Sequence, residues 1–388
     1  MKTKTGRRSF LKKIGISGIT VAAAPVTLLQ AGTISKSSDE PKAVKNQSEK
    51  RTYNGAYRDE YLNRVAFPIG GIGAGMFCLE GTGAISHMSV RNKPEVFHEP
   101  GMFAALAIKG SDSHARIIEG PSPDWRKFGQ PNSGNGGSGT VGLPRFHNVE
   151  FITRFPFATV SLRDPKEAVA VTIEGWSPFI PTDADNSSLP AGALEYTFQN
   201  ESRDKIEAVF SYNSRNFMKK DPAKGSIQRI KNGFVLSCEE VTDKPFLKGD
   251  FAVFTDQPET IVDHCWFRGG WFDPLTMAWE TIKRGATKQV EPVPEGAPGA
   301  SLFVPFTLEA GAKKTIRVMF NWHVPVTDMH VGNDGTREDK CDPASGCCNT
   351  TSELGVSVEK PFEGKDYQPW YASKFKDIQS TASYFEKN

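Results

Sequence analysis

In LEYTFQNESRDKIEAVFSY, Leu194 to Tyr212, apolar side chains occupy every second position of two runs: Leu194, Tyr196 and Phe198, then Ile206, Ala208, Phe210 and Tyr212. A helix would bring apolar residues round every three or four positions, so a period of two marks strands with one face buried. Ser202-Arg203-Asp204-Lys205 between the runs is a turn cluster too short for a helical crossover, which favours an antiparallel connection. The same period recurs at Val169, Val171 and Ile173, at Phe234, Leu236 and Cys238, at Leu302, Val304, Phe306 and Leu308, and at Ile316, Val318, Phe320 and Trp322. Further turn clusters, Lys231-Asn232-Gly233 and Glu309 to Lys314, separate some of these runs. Together they predict an all-β fold, a large antiparallel β-sandwich.

Composition agrees. The 388 residues include 36 glycines, 26 prolines and 26 phenylalanines, which suit many turns and aromatic-filled sheet faces. An apolar content of 38% supports a sizeable core. Forty-seven basic against 45 acidic residues leave a formal charge of +2, so the balance indicates no nucleic acid or other polyanion as partner.

The glycine-dense stretch FPIGGIGAGMFCLEGTGAISHMSV, Phe67 to Val90, invites comparison with phosphate loops. Counting G-x-G-x-x-G from Gly71 or Gly73 puts Met76 or Cys78 in the third glycine slot, and no Lys-Ser/Thr follows. These glycines are expected to serve tight turns and close strand contacts, and no cofactor is expected.

The N-terminus carries paired Arg7 and Arg8, then Ser9, Phe10, Leu11 and Lys12, before a modest apolar stretch ending near Ala31. It resembles a twin-arginine translocation signal, so the protein is expected to be periplasmic or extracellular. Gly15, Gly18 and Pro25 make the apolar stretch too weak for stable membrane insertion. Ala22-Ala23-Ala24 and Gln30-Ala31 both remain candidate cleavage sites. Residues 1–31 are thus assigned to the signal, 32–52 to a polar linker, 53–365 to the sandwich and 366–388 to a linker and helix start. Within the sandwich, Gly129 to Thr140 reads as a mobile surface loop. Near the C-terminus Tyr371, Phe375, Ile378, Ala382 and Phe385 are spaced four, three, four and three apart, one face of an amphipathic helix. That face either packs on the sandwich or awaits helical partners.

Cys341, Cys347 and Cys348 share a polar loop without the paired spacing of a zinc site. In an exported protein a local disulfide from Cys341 to Cys347 or Cys348 is the favoured reading. Cys78, Cys238 and Cys265 sit in apolar runs and read as buried thiols. Carboxylates in aromatic or glycine-framed settings, Glu95, Asp183, Asp185 and Asp273, are candidates for acid–base chemistry. Each also suits a turn or a helix cap, the commoner role. Trp176, Trp266, Trp271 and Trp279 are candidates for stacking on sugar rings, though aromatics of this kind more often fill cores.

Several segments in order carry a family resemblance: FPIGGIGAGMFCLEGTGAISHMSVRNKPEVF, GWSPFIPTDADNSSLPAGALEYTFQN, FRGGWFDPLTMAWETIKRG, MFNWHVP and PWYASKFKD. From about Tyr53 to Asn388 the chain resembles the N-terminal domain of family 116 glycoside hydrolases, which include the non-lysosomal glucosylceramidases. The resemblance implies a β-sandwich that packs against and supports a C-terminal (α/α)6 barrel. It also implies that the retaining glutamate and aspartate belong to that barrel, beyond Asn388, leaving no catalytic residue here. PWYASKFKD resembles the linker and first helix leading into the barrel. The function implied is the non-catalytic half of an exported retaining β-glycosidase, with a β-glycoside or glycolipid substrate. The competing expectation is a free-standing glycan-binding sandwich without hydrolase activity, for which the tryptophans speak.

Overall fold

The computed structural model describes residues 51–110, 114–123, 126–127, 139–329 and 368–388. The twin-arginine segment, Gly129 to Ser138 of the glycine-rich loop, and Cys341, Cys347 and Cys348 lie outside the described residues.

Three antiparallel sheets account for the strands among the described residues. The smallest runs β1 (Ala66–Ile69), β2 (Met76–Glu80), β3 (Ile85–Ser89). The five-stranded sheet has the order β14 (Ile261–Asp263), β15 (Gly299–Leu308), β10 (Ile206–Arg215), β4 (Met102–Ile108), β5 (His114–Ile117). The eight-stranded sheet has the order β11 (Gly225–Ile230), β12 (Gly233–Cys238), β13 (Gly249–Thr255), β16 (Lys313–His323), β9 (Ala191–Asn200), β8 (Val169–Trp176), β7 (Phe157–Arg163), β6 (Asn148–Arg154).

The opening stretch turns out to be a corner of the sandwich. β9 and β10 do not pair with each other: β9 lies between β8 and β16, whereas β10 lies between β15 and β4. The turn at 201–205 carries the chain from one sheet to the other, and the turn at 309–312 does the same between β15 and β16. Because both runs alternate, their apolar faces meet across the gap. Tyr196 and Phe198 lie 5.0 and 5.6 Å from Phe210, and Phe198 lies 5.0 Å from Phe306, centroid to centroid. Among the described residues Lys231-Asn232 closes a two-residue hairpin between β11 and β12, with Asn232 in the left-handed conformation, and Phe155-Pro156 closes another between β6 and β7.

The small sheet packs on the same inner face of the large one. Ile69 fills the space left by Gly175 and Gly192, where an added Cβ would come within 2.7 and 2.3 Å of it. Phe77 meets Phe320 edge-on at 5.1 Å.

Both outer faces are roofed by helices. α2 (Pro274–Lys283) buries Leu275 and Ile282 among Val209, Phe103 and Phe303 of the five-stranded sheet. At the C-terminus the amphipathic spacing belongs to two helices, α3 (Trp370–Lys374) and α4 (Ile378–Lys387), rather than one. Phe375 is extended between them, and Asp377 caps α4 by accepting the Ser380 N–H at 2.8 Å. Ile378 and Ala382 are buried among Ala193, Ala252 and Met319 on the outer face of the large sheet, and Phe385 lies 5.7 Å from Trp176. The apolar face therefore has its partner in the sandwich, the first of the two alternatives read from the sequence.

Candidate functional site

The loop from Gly70 to Gly75 joins β1 to β2 and is held by backbone. Gly71 N–H donates to Leu189 O at 3.1 Å and Ile72 N–H to Ser187 O at 2.8 Å. A Cβ on Gly71 would sit 2.2 Å from Leu189 O, so only glycine fits there. Gly75 combines a φ of +92° with the same crowding, 2.8 Å from Ser89 O. Turns and close contacts are what these glycines serve, as their spacing implied.

Opposite this loop β3 is irregular. Met76 pairs with Ser89 and Cys78 with Ser86, so two residues, His87 and Met88, stand against Phe77 alone. This β-bulge re-aims His87, whose φ is +51°. Asn92 and Phe97, at +60° and +63°, share the left-handed conformation, an arrangement that must be stabilised by its surroundings. Several bonds supply this. Phe97 N–H donates to His87 Nδ1 at 3.0 Å, Glu95 N–H to Ser89 Oγ at 2.9 Å, and Arg91, buried, to the carbonyls of Met218 and Leu247. The result is an open cleft of about 490 Å³ between the glycine loop and residues 87–96. Met76, Cys78, Pro94 and Val96 give it apolar walls, and His87 and Lys93 line it as well. Burial, reinforced by Glu80, pushes the Cys78 thiol up to about 11, so it stays protonated and unreactive at neutral pH.

The candidate carboxylates are scattered around this frame with separate partners. Asp183 caps the single-turn helix α1 (Ala184–Ser187), accepting the Asn186 N–H at 3.0 Å, and that backbone bond holds its carboxyl below the usual range. Asp185 is exposed, 3.9 Å from Lys374 Nζ. Asp273 caps α2 through the Thr276 N–H at 3.0 Å and lies 3.7 Å from Arg215. Glu95 is half-buried. Burial pushes its carboxyl up, but the bond from His98 Nδ1 at 2.7 Å, helped by Lys220 and Arg91, outweighs it and leaves the group below 4.5. Helix capping and ion pairing thus account for all four.

The tryptophans divide likewise. Trp266 is buried and donates to Ser301 Oγ at 2.8 Å, Trp176 seats Phe385, and Trp279 is half-buried beside the cluster under α2. Trp271 alone of the four is open to solvent, 90% exposed, next to Phe272 at 62%.

Sequence reading missed a buried ionic group. Arg126 lies 2.7 Å from Glu80 and 3.2 Å from Glu99, while Glu119 pairs with Arg145 at 3.3 Å. Burial pulls Arg126 down, but Glu80, Glu119 and Glu99 outweigh it and keep the guanidinium charged. These residues are spread over positions 80 to 145, and only Glu80 lies in a stretch that the sequence singles out. Only their convergence in the fold reveals them.

A family model described as beta-glucosidase 2, glycosyl-hydrolase family 116 N-term, matches residues 66–388. No curated protein matches the chain. Among solved structures, a putative kojibiose phosphorylase from the human microbiome is 10% identical, with a TM-score of 0.32 over 66% of this chain and 29% of that one. A polysaccharide lyase is 12% identical, with a TM-score of 0.27 over 70% of this chain and 34% of that one. The chain spans about a third of the length of either structure. From β1 to the last helix, then, the chain belongs to the N-terminal domain of glycosyl-hydrolase family 116.

Proposed function

We propose that this chain is the non-catalytic N-terminal domain of an exported retaining β-glycosidase, and that it packs against and supports a helical (α/α)6 catalytic domain. The observation that carries the reading is the family match over residues 66–388, which is to an N-terminal domain. The disposition of the carboxylates supports it. A retaining glycosidase needs two carboxyl groups roughly 5 Å apart, one as nucleophile and one as acid/base. Here Asp183 and Asp273 hold helix N-termini and Glu95 is bound to His98, so each is already committed elsewhere. The substrate under this reading is a β-glucoside or a related glycolipid, cleaved through a covalent glycosyl-enzyme intermediate on the catalytic domain. Arg7 and Arg8 support export to the periplasm or beyond. The DNA downstream of codon 388 tests the proposal. Several hundred codons of helical-period sequence are expected, in frame or in an adjacent gene. A stop at codon 389 with no helical-barrel gene beside it contradicts the proposal.

One observation favours the second reading, a glycan-binding module. Trp271 and Phe272 are adjacent and exposed, a platform on which a sugar ring can stack. Under that reading Trp271→Ala abolishes retention on a glycan column. Under the first it leaves retention unchanged.

A further inference from the structure

The cleft between the glycine loop and residues 87–96 has a chemistry of its own, independent of the hydrolase reading. Its volume, about 490 Å³, lies in the range of small-molecule sites. Its walls are mostly apolar, and the polar groups that line it are largely spent. Ser89 Oγ donates to His87 O at 2.9 Å and accepts the Glu95 N–H, while Asn92 Nδ2 donates to Val324 O. Two donors remain for a ligand. Because His87 Nδ1 accepts the Phe97 N–H, the ring proton of the neutral imidazole sits on Nε2. Lys93 brings the one formal charge among the described residues of the lining, and its ion pair with Asp328 is long at 3.8 Å, with both side chains more than two-fifths exposed. No carboxylate is among the described residues that line the cleft.

This inventory discriminates between ligand classes. A sugar ring is hydroxylated all round and has little apolar surface to set against mostly apolar walls. An apolar body ending in an anionic acceptor matches both walls and head.

We propose that the cleft binds a small carboxylate amphiphile, its head on Lys93 and His87 and its apolar body against Met76, Pro94 and Val96. The bonds from Phe97 N–H to His87 Nδ1, from Glu95 N–H to Ser89 Oγ and from Arg91 to the carbonyls of Met218 and Leu247 hold the binding loop in shape before the ligand arrives, which lowers the ordering cost of binding.

Octanoate, octanol and glucose, each below any aggregating concentration, are the probes, and the carbon-13 methyl resonance of Met76 in the full 388-residue chain is the readout. Lys93→Gln and Val96→Asp change exposed side chains, so the fold is expected to survive both. Octanoate should shift the Met76 methyl. Lys93→Gln should weaken that binding by about tenfold, the worth of one charge-assisted bond, and leave octanol unaffected. Val96→Asp should weaken both. The proposal is overturned if octanoate leaves the Met76 methyl unmoved, if neither substitution changes the response, or if glucose shifts it in octanoate's place.

Discussion

Arg126 is buried with its side chain against Glu80 and Glu99, and the charge of Glu119 also reaches it. Removing one member of a buried ion pair leaves the rest uncompensated in a poor solvent for charge. Arg126→Met should therefore cost about 3–5 kcal/mol in a urea titration. A loss under about 1 kcal/mol would mean that the glutamates protonate or hydrate at little cost. Glu95 gives a prediction in pH. Its carboxyl is held below 4.5 in the folded chain, so its contribution is full above that value and fades as pH falls through the lower folded value. Melting temperatures should show a gap between the wild type and Glu95→Gln that closes on acidification. A gap that persists in strong acid contradicts the assignment. Some of this scale was legible in the sequence. Asp273 before Pro274, at the head of an apolar-periodic run, is a cap signal, and Asp183 was read as a candidate cap. His87 was not legible, because a bulge that puts a histidine at positive φ leaves no mark in composition or period.

Elements were legible where one face is apolar and the other polar or weakly apolar. Alternation located β8, β9, β10, β12, β15 and β16. It passed over β4, whose MFAALAI is buried on both faces and so has no period to see. α2 went unread although its cap, its proline at the first position and its Leu275–Ile282 face were all present. At the C-terminus the spacing of four and three ran on across a break, so two helices read as one. Asp377 makes that break. Its side chain takes the Ser380 N–H while Ser380 Oγ bonds back to the Asp377 N–H, a reciprocal cap that starts α4 afresh. Asp377→Ala should destabilise α4 by about 1 kcal/mol, seen as faster amide exchange between Ile378 and Lys387, and Asp377→Asn should restore most of the protection. Exchange unchanged in the alanine variant would show that burial of Ile378 and Ala382 alone fixes the helix.

At the scale of the molecule, two turns that look like hairpin turns in the sequence each carry the chain between sheets. β9 and β16 consequently pair in one layer while β10 and β15 pair in the other. No single-sequence period distinguishes a hairpin from such a corner, since both join alternating strands through short polar turns. The layers explain why the candidate carboxylates stand apart from one another. Asp273 sits at the head of the helix over one outer face. Asp183 and Asp185 lie by α1, where Tyr384 of α4 bonds to Asn186 at 2.7 Å. These carboxylates tie helices to the sandwich, in keeping with the proposal that the catalytic pair belongs to another domain. The direct test is an assay of the purified 388-residue chain on an aryl β-glucoside against a heat-killed control. Turnover indistinguishable from that control is expected. Clear turnover that disappears in Glu95→Gln or Asp273→Asn would contradict the proposal and place a working site within the β-layers.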